Sequence, residues 1–167
     1  DESSFFIFLF LNSTSIAGET RLVGEMIQGG LVVGWTSPGA KIKLDGSSII
    51  QANGGNFLIG FPYDSKPTAV FEIFSKAGKH YKRVLSIGQR NYNTQRINGL
   101  PKRKVMPNAK DLTLIKNQRK LINKARLIFT MEPYFTAGFV NPVVGPISGV
   151  FGSQRILNGE PRRRHFG

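Results

Sequence analysis

The sequence contains no cysteine, which excludes a disulfide scaffold and any thiolate metal site and leaves histidine and carboxylate as the ligand chemistry. Acids are few: 10 Asp and Glu stand against 23 Lys and Arg, for a formal net charge of +13. That imbalance implies an anionic partner or surface. The apolar run Phe5 to Leu11 is far short of the roughly 20 residues that a helix needs to cross a bilayer. Neither an initiator methionine nor a basic stretch precedes it, and the chain opens on Asp1-Glu2. What is present is enough for a core: 40% of the residues are hydrophobic, which argues against wholesale disorder. A length of 167 residues holds one medium domain, or one small domain with part of a second.

The charge is unevenly placed. From Lys76 to Arg126 there are fifteen Lys or Arg and a single acid, Asp111. Nucleic acid, wall polymers and anionic lipid headgroups all respond to such a field, and a solvated basic surface accounts for it as well.

In chain order, FFIFLFL (Phe5 to Leu11) is followed by polar residues and then Ser15-Ile16-Ala17. Small residues at Ser15 and Ala17 fit the −3 and −1 positions of a secretory cleavage site, with the cut before Gly18. A buried strand is the other reading. The expectation is a partial signal peptide over 1–17 and an exported protein.

From Thr20 to Ile87 the pattern is all-β. Ala40, Ile42 and Leu44 alternate with Lys41 and Lys43, and Asp45-Gly46 follows as a hairpin signal. Asn53-Gly54-Gly55 makes a further turn before Phe57, Ile59 and Phe61 alternate in their turn. Short strands separated by regular turns predict a small β-sandwich over 18–90. SPGAKIKLDG followed by GGNFLIGF resembles the bacterial immunoglobulin-like modules of secreted and surface enzymes. His80 lies among Lys79, Lys82 and Arg83, where cations make a poor metal site and a solvated strand end is expected.

Residues 91–133 predict a basic linker and a helix. Asn98-Gly99, Pro101 and Pro107 punctuate the linker. Its QRINGLPKR nearly repeats QRILNGEPRR (Gln154 to Arg163), which ordinary turn chemistry explains without a repeat architecture. Asn108 caps a helix expected over about 109–129, with Asp111 in its first turn and Pro133 barring continuation. Leu112, Ile115, Ile122, Ala125 and Phe129 fall near one face. Such a helix suits a membrane surface or nucleic acid, or docks its apolar stripe on a neighbouring domain. The lack of aromatics among its basic residues argues against single-stranded nucleic acid.

Phe139 to Ser148 alternates apolar residues with Pro142, Gly145 and Pro146, as short strands around a tight turn do. Phe151-Gly152, Arg155, Asn158-Gly159, Pro161, a triple arginine and His165 follow. The pattern FxxPVxGxISxxFGxxRxxNGxPRxxHxG resembles the entry to the lysostaphin-type zinc endopeptidases of peptidoglycan. It is similar in particular to the proteobacterial murein endopeptidases with an amino-terminal β-domain. QGGLVVG (Gln28 to Gly34), PGAKIKLDG and YKRVLSI through RINGLPKR look like the same subgroup.

The resemblance implies a mainly β protein: a small immunoglobulin-like sandwich, one amphipathic helix, and over 134–167 the first strands of a β-rich peptidase domain. It implies Zn as cofactor, peptidoglycan as substrate and partner, and the periplasm or envelope of a Gram-negative bacterium as location. Anionic envelope polymers or the membrane surface are further partners. In that family HxxxD supplies two zinc ligands, and a distant HxH supplies a third with a catalytic histidine. His165 matches the first ligand; the Asp would fall two residues past Gly167, so the residues present are expected to be inactive by themselves. Arg164 stands where the subgroup commonly has Pro, and a cation there disfavours the metal. Arg155 and Asn158 are candidate substrate-binding residues, Arg155 through peptide carboxylates, or else strand and turn residues that hold the groove wall. The alternative is a non-catalytic relative with a degenerate metal site that binds the wall or activates a hydrolase.

Overall fold

A computed structural model describes residues 14–16, 20–141, 143–147 and 149–166. The apolar run and the cleavage position before Gly18 lie outside them, and of the expected leader only Thr14–Ile16 is described. The chain is mainly β and divides into two units. One comprises Asp1–Gln89 with Glu132–Gly138, the other Arg90–Met131 with Phe139–Gly167.

The first unit holds two four-stranded antiparallel sheets. β1 (Thr14–Ile16), β2 (Thr20–Gly24), β3 (Leu31–Trp35) and β6 (Asn56–Gly60) form one, in the order β1-β2-β3-β6. β4 (Lys41–Leu44), β5 (Ser47–Ile49), β7 (Thr68–Phe74) and β8 (His80–Ser86) form the other, in the order β5-β4-β7-β8. The chain crosses between sheets after β3, after β5 and after β6. Asp45 and Gly46 turn β4 into β5 with φ of 48° and 79°, the left-handed pair that a two-residue hairpin needs. The Asp45 carboxylate also accepts the Val70 N–H at 2.7 Å, tying this turn to β7.

Period-two alternation sets the core. Leu22, Val32, Phe57 and Ile59 from one sheet meet Ile42, Phe71, Ile73 and Leu85 from the other in a single buried cluster. Phe57 and Phe71 stack across it with centroids 6.0 Å apart. Burying each such ring contributes roughly 1.5–3 kcal/mol. Gly34 on β3 is required by this packing, because a Cβ there would lie 2.2 Å from the Phe57 ring. The buried polar groups are partnered: the Thr20 and Thr36 hydroxyls bond at 2.9 Å, and Gln28 donates to the Ser65 carbonyl at 2.9 Å. His80 opens β8 as expected, but it is engaged: its Nε2 lies 3.1 Å from a Glu72 oxygen and its ring stacks on Phe74.

In the second unit the segment read as a linker contains β9 (Thr94–Ile97) and a turn of helix α1 (Lys102–Val105). β9 pairs in parallel with β10 (Gln154–Leu157), which pairs antiparallel with β11 (Glu160–Pro161). The two near-identical peptides are thus bonded neighbours, Gln95 opposite Arg155 and Ile97 opposite Leu157. α2 runs Ala109–Arg126, capped by the Asn108 side chain accepting the Asp111 N–H at 2.9 Å. It stops short of Phe129 because its last turn tightens, with the Leu127 N–H reaching back to the Lys124 and Ala125 carbonyls. None of its residues is buried, its apolar stripe included. The strands expected in Phe139 to Ser148 are also absent among the described residues. Val140, Val144 and Ile147 are exposed there, with no ladder partner alongside to make use of their alternation.

Phe71→Ala is expected to cost about 3–5 kcal/mol, read as a lower urea midpoint in the fluorescence of Trp35, the single tryptophan. Val84→Ala on exposed β8 surface should stay within about 0.5 kcal/mol of the parent. Asp111 supplies a second test. The hydrogen bond from Arg103 holds its carboxyl below the ordinary carboxylate range against a smaller effect of burial, helped by the Arg103 charge and a backbone bond at Asn108. Its contribution to α2 is therefore complete above pH ~4 and lost as pH falls through the lowered value. Far-UV ellipticity should show an acid-dependent loss of helix that Asp111→Asn removes.

Candidate functional site

After β10 the turn Asn158-Gly159, with φ of 49° and 87°, sends the chain back through β11 and along the residues that precede β10. Backbone bonds continue past β11: Arg162 N–H to the Arg155 carbonyl at 2.8 Å, His165 N–H to Ser153 at 2.8 Å, and Gly152 N–H to His165 at 2.7 Å. The terminal arginines and His165 are thereby set against Gly149 to Arg155. Gly152 cannot carry a side chain here, since a Cβ would sit 2.1 Å from the Tyr92 ring on a backbone with φ +79°.

The result is an open concavity of about 570 Å³ lined by Arg126, Arg155, Arg162, Arg163, Arg164 and His165, with Gly149, Ser153, Leu157 and Phe166 completing it. No acid lines it. Arg155 Nη2 and the His165 ring both come within 4 Å of the point where a Gly149 Cβ would stand, at 3.8 and 3.6 Å. Neutral groups orient the guanidiniums. Arg155 Nε donates to the Gln95 amide oxygen at 3.2 Å, and Arg164 donates to the Gly152 carbonyl at 2.8 Å while lying over the Tyr92 ring. Arg162 donates to the Val105 carbonyl and keeps its Nε buried without a hydrogen-bond partner. Arg163 lies over the Phe166 ring.

Two of the three sequence candidates, Arg155 and His165, are brought together. Asn158 does not line the concavity. Its side-chain oxygen accepts the Leu100 N–H at 3.1 Å and its amide nitrogen donates to the Leu100 carbonyl at 2.8 Å, clamping the end of β9 to the β10 turn. Sequence reasoning marked the triple arginine only as a run beside His165, and it missed Arg126, which reaches the site from the far end of α2.

The net positive charge belongs wholly to this unit. Its sequence carries fifteen Lys and Arg against Asp111 and Glu160, whereas the first unit has eight of each sign. Asp111 is already bidentate with Arg103, at 2.7 and 2.8 Å. A wider depression of about 670 Å³ in the first unit has Asp45, Asp64 and Lys66 among its lining, but Asp45 is occupied by Val70.

Zinc does not fit these residues by themselves. Among the described residues no three His, Cys, Asp or Glu are grouped to hold a metal, and the one imidazole at the site shares its concavity with five guanidiniums, which repel a dication. Arginine forks instead match anionic oxygens. Among the described residues no helix is long and apolar enough to cross a membrane. No protein-family model matches the sequence, and no curated protein matches it significantly.

Gly152→Ala should open the second unit selectively. The expected result is faster amide exchange in β9 and β10 with little change in β3, β6 and β7; uniform protection would show that the Tyr92 contact does not hold the hairpin.

Proposed function

We propose that the chain is the amino-terminal part of an exported zinc endopeptidase that cuts peptide cross-links in peptidoglycan, and that it supplies wall binding and one metal ligand, His165. The observation that carries this reading is the pairing of Arg155 and His165 on one cationic concavity, within the motif that resembles the lysostaphin-type enzymes. The other ligands would come from residues outside those present, and no hydrolytic step is assigned to this chain. Arg155 is suited to hold a peptide carboxylate beside the scissile bond. Asn158 acts as a positioning residue, since its amide fixes the turn that follows Arg155.

The first unit supports the same reading. Its two sheets, ordered β1-β2-β3-β6 and β5-β4-β7-β8 with crossings between them, support an immunoglobulin-like sandwich, a module suited to presenting an enzyme to a surface. The arginines around His165 favour a second reading, a non-catalytic relative that binds the wall or activates a hydrolase. The periplasm or envelope is the location for either.

The purified chain is expected to co-sediment with peptidoglycan sacculi and to be released by salt, with no sub-micromolar zinc site by calorimetry. A protein that continues into the HxxxD and HxH pattern should cut sacculi and lose that activity with His165→Ala. Retained cleavage in that variant removes His165 from the metal site, and failure of the chain to sediment removes the wall-binding role.

A further inference from the structure

We propose that the arginine concavity of the second unit is a binding site for a compact, multiply charged phosphate group, in the class of a pyrophosphate or a clustered phosphate headgroup. The inference is independent of the endopeptidase reading. Five guanidiniums and an imidazole line about 570 Å³, a volume suited to one small ligand and not to a polymer alone. A carboxylate is planar and takes one arginine fork, whereas a phosphoryl group offers oxygens in three directions and carries up to two charges. Pyrophosphate can therefore meet several forks at once, which the convergence of Arg155 and His165 on Gly149 permits.

The site is built and not only charged. Arg155, Arg162 and Arg164 are each oriented by a neutral acceptor, Gln95, Val105 or Gly152, so their direction is set before a ligand arrives. Arg162 keeps a buried Nε without a partner, a desolvation cost that nearby negative charge would offset. Leu157, Phe166 and Gly149 supply the apolar part of its wall.

The test is calorimetric titration of the whole chain with inorganic pyrophosphate at physiological salt. Saturable one-to-one binding is expected, weakened about tenfold by Arg163→Ala and by Arg126→Ala. Lys116→Ala, which removes a charge of the same unit outside the concavity, should change affinity less than about twofold. Equal weakening by all three variants would show a general field and overturn the site, as would the absence of saturation. Tricarballylate, a tricarboxylate, is expected to bind more weakly, and equal or tighter binding overturns the phosphate assignment. Vesicles containing phosphatidylinositol phosphate, compared with phosphatidylcholine alone, separate the sources. Binding that pyrophosphate competes away places the phosphate on a lipid headgroup, and pyrophosphate binding without vesicle binding makes the ligand soluble.

Discussion

Everything distinctive about the second unit depends on like charges being held close together. Fifteen cations against two acids repel one another, and an extended chain would relieve that repulsion. The opposing force is backbone pairing. β9 and β10 lie in register, the Asn158 amide spans both backbone groups of Leu100, and the chain from Arg162 to His165 bonds back along Gly152 to Arg155. These bonds are made by backbone and amide groups, and the guanidiniums of Arg155, Arg162 and Arg164 are held around the concavity by neutral acceptors.

The first unit solves a different problem. With eight charges of each sign it carries no net formal charge, and it invests its apolar residues in one shared core. In the second unit α2 buries none of its residues, and among the described residues Val105 is the one buried hydrophobic side chain. Burial therefore organises one unit, and hydrogen bonds with stacked arginines organise the other. Phe57 on Phe71 and Arg164 over Tyr92 are the corresponding contacts in the two.

Much of the first unit was legible because a half-buried strand writes its burial into a period of two. Ile42, Phe57, Ile59 and Phe61 all point inward as their alternation implies. Asn108 and Asp111 were legible for another reason: a helix cap is chemistry between residues three apart. β9 was not legible. Thr94–Ile97 has no alternation, and the partner that makes it a strand lies some sixty positions on, where local pattern carries no information. Phe139 to Ser148 erred the opposite way, since among the described residues the alternation there has no strand to pair with. At the site, Arg155 and His165 were visible through their motif, whereas the contribution of Arg126 arises only from where α2 ends.

The parallel pairing of β9 with β10 also imposes an order on how the protein is made. Every described strand of the first unit lies before Gln89, so its two sheets can form while the rest is still being synthesised, with Glu132–Gly138 joining them later. β9 emerges next and has to wait, unpaired, until Leu157 has left the exit tunnel. Closing so long a loop is entropically slow, and through that interval the strongly cationic nascent segment beside ribosomal RNA is the one without its partner.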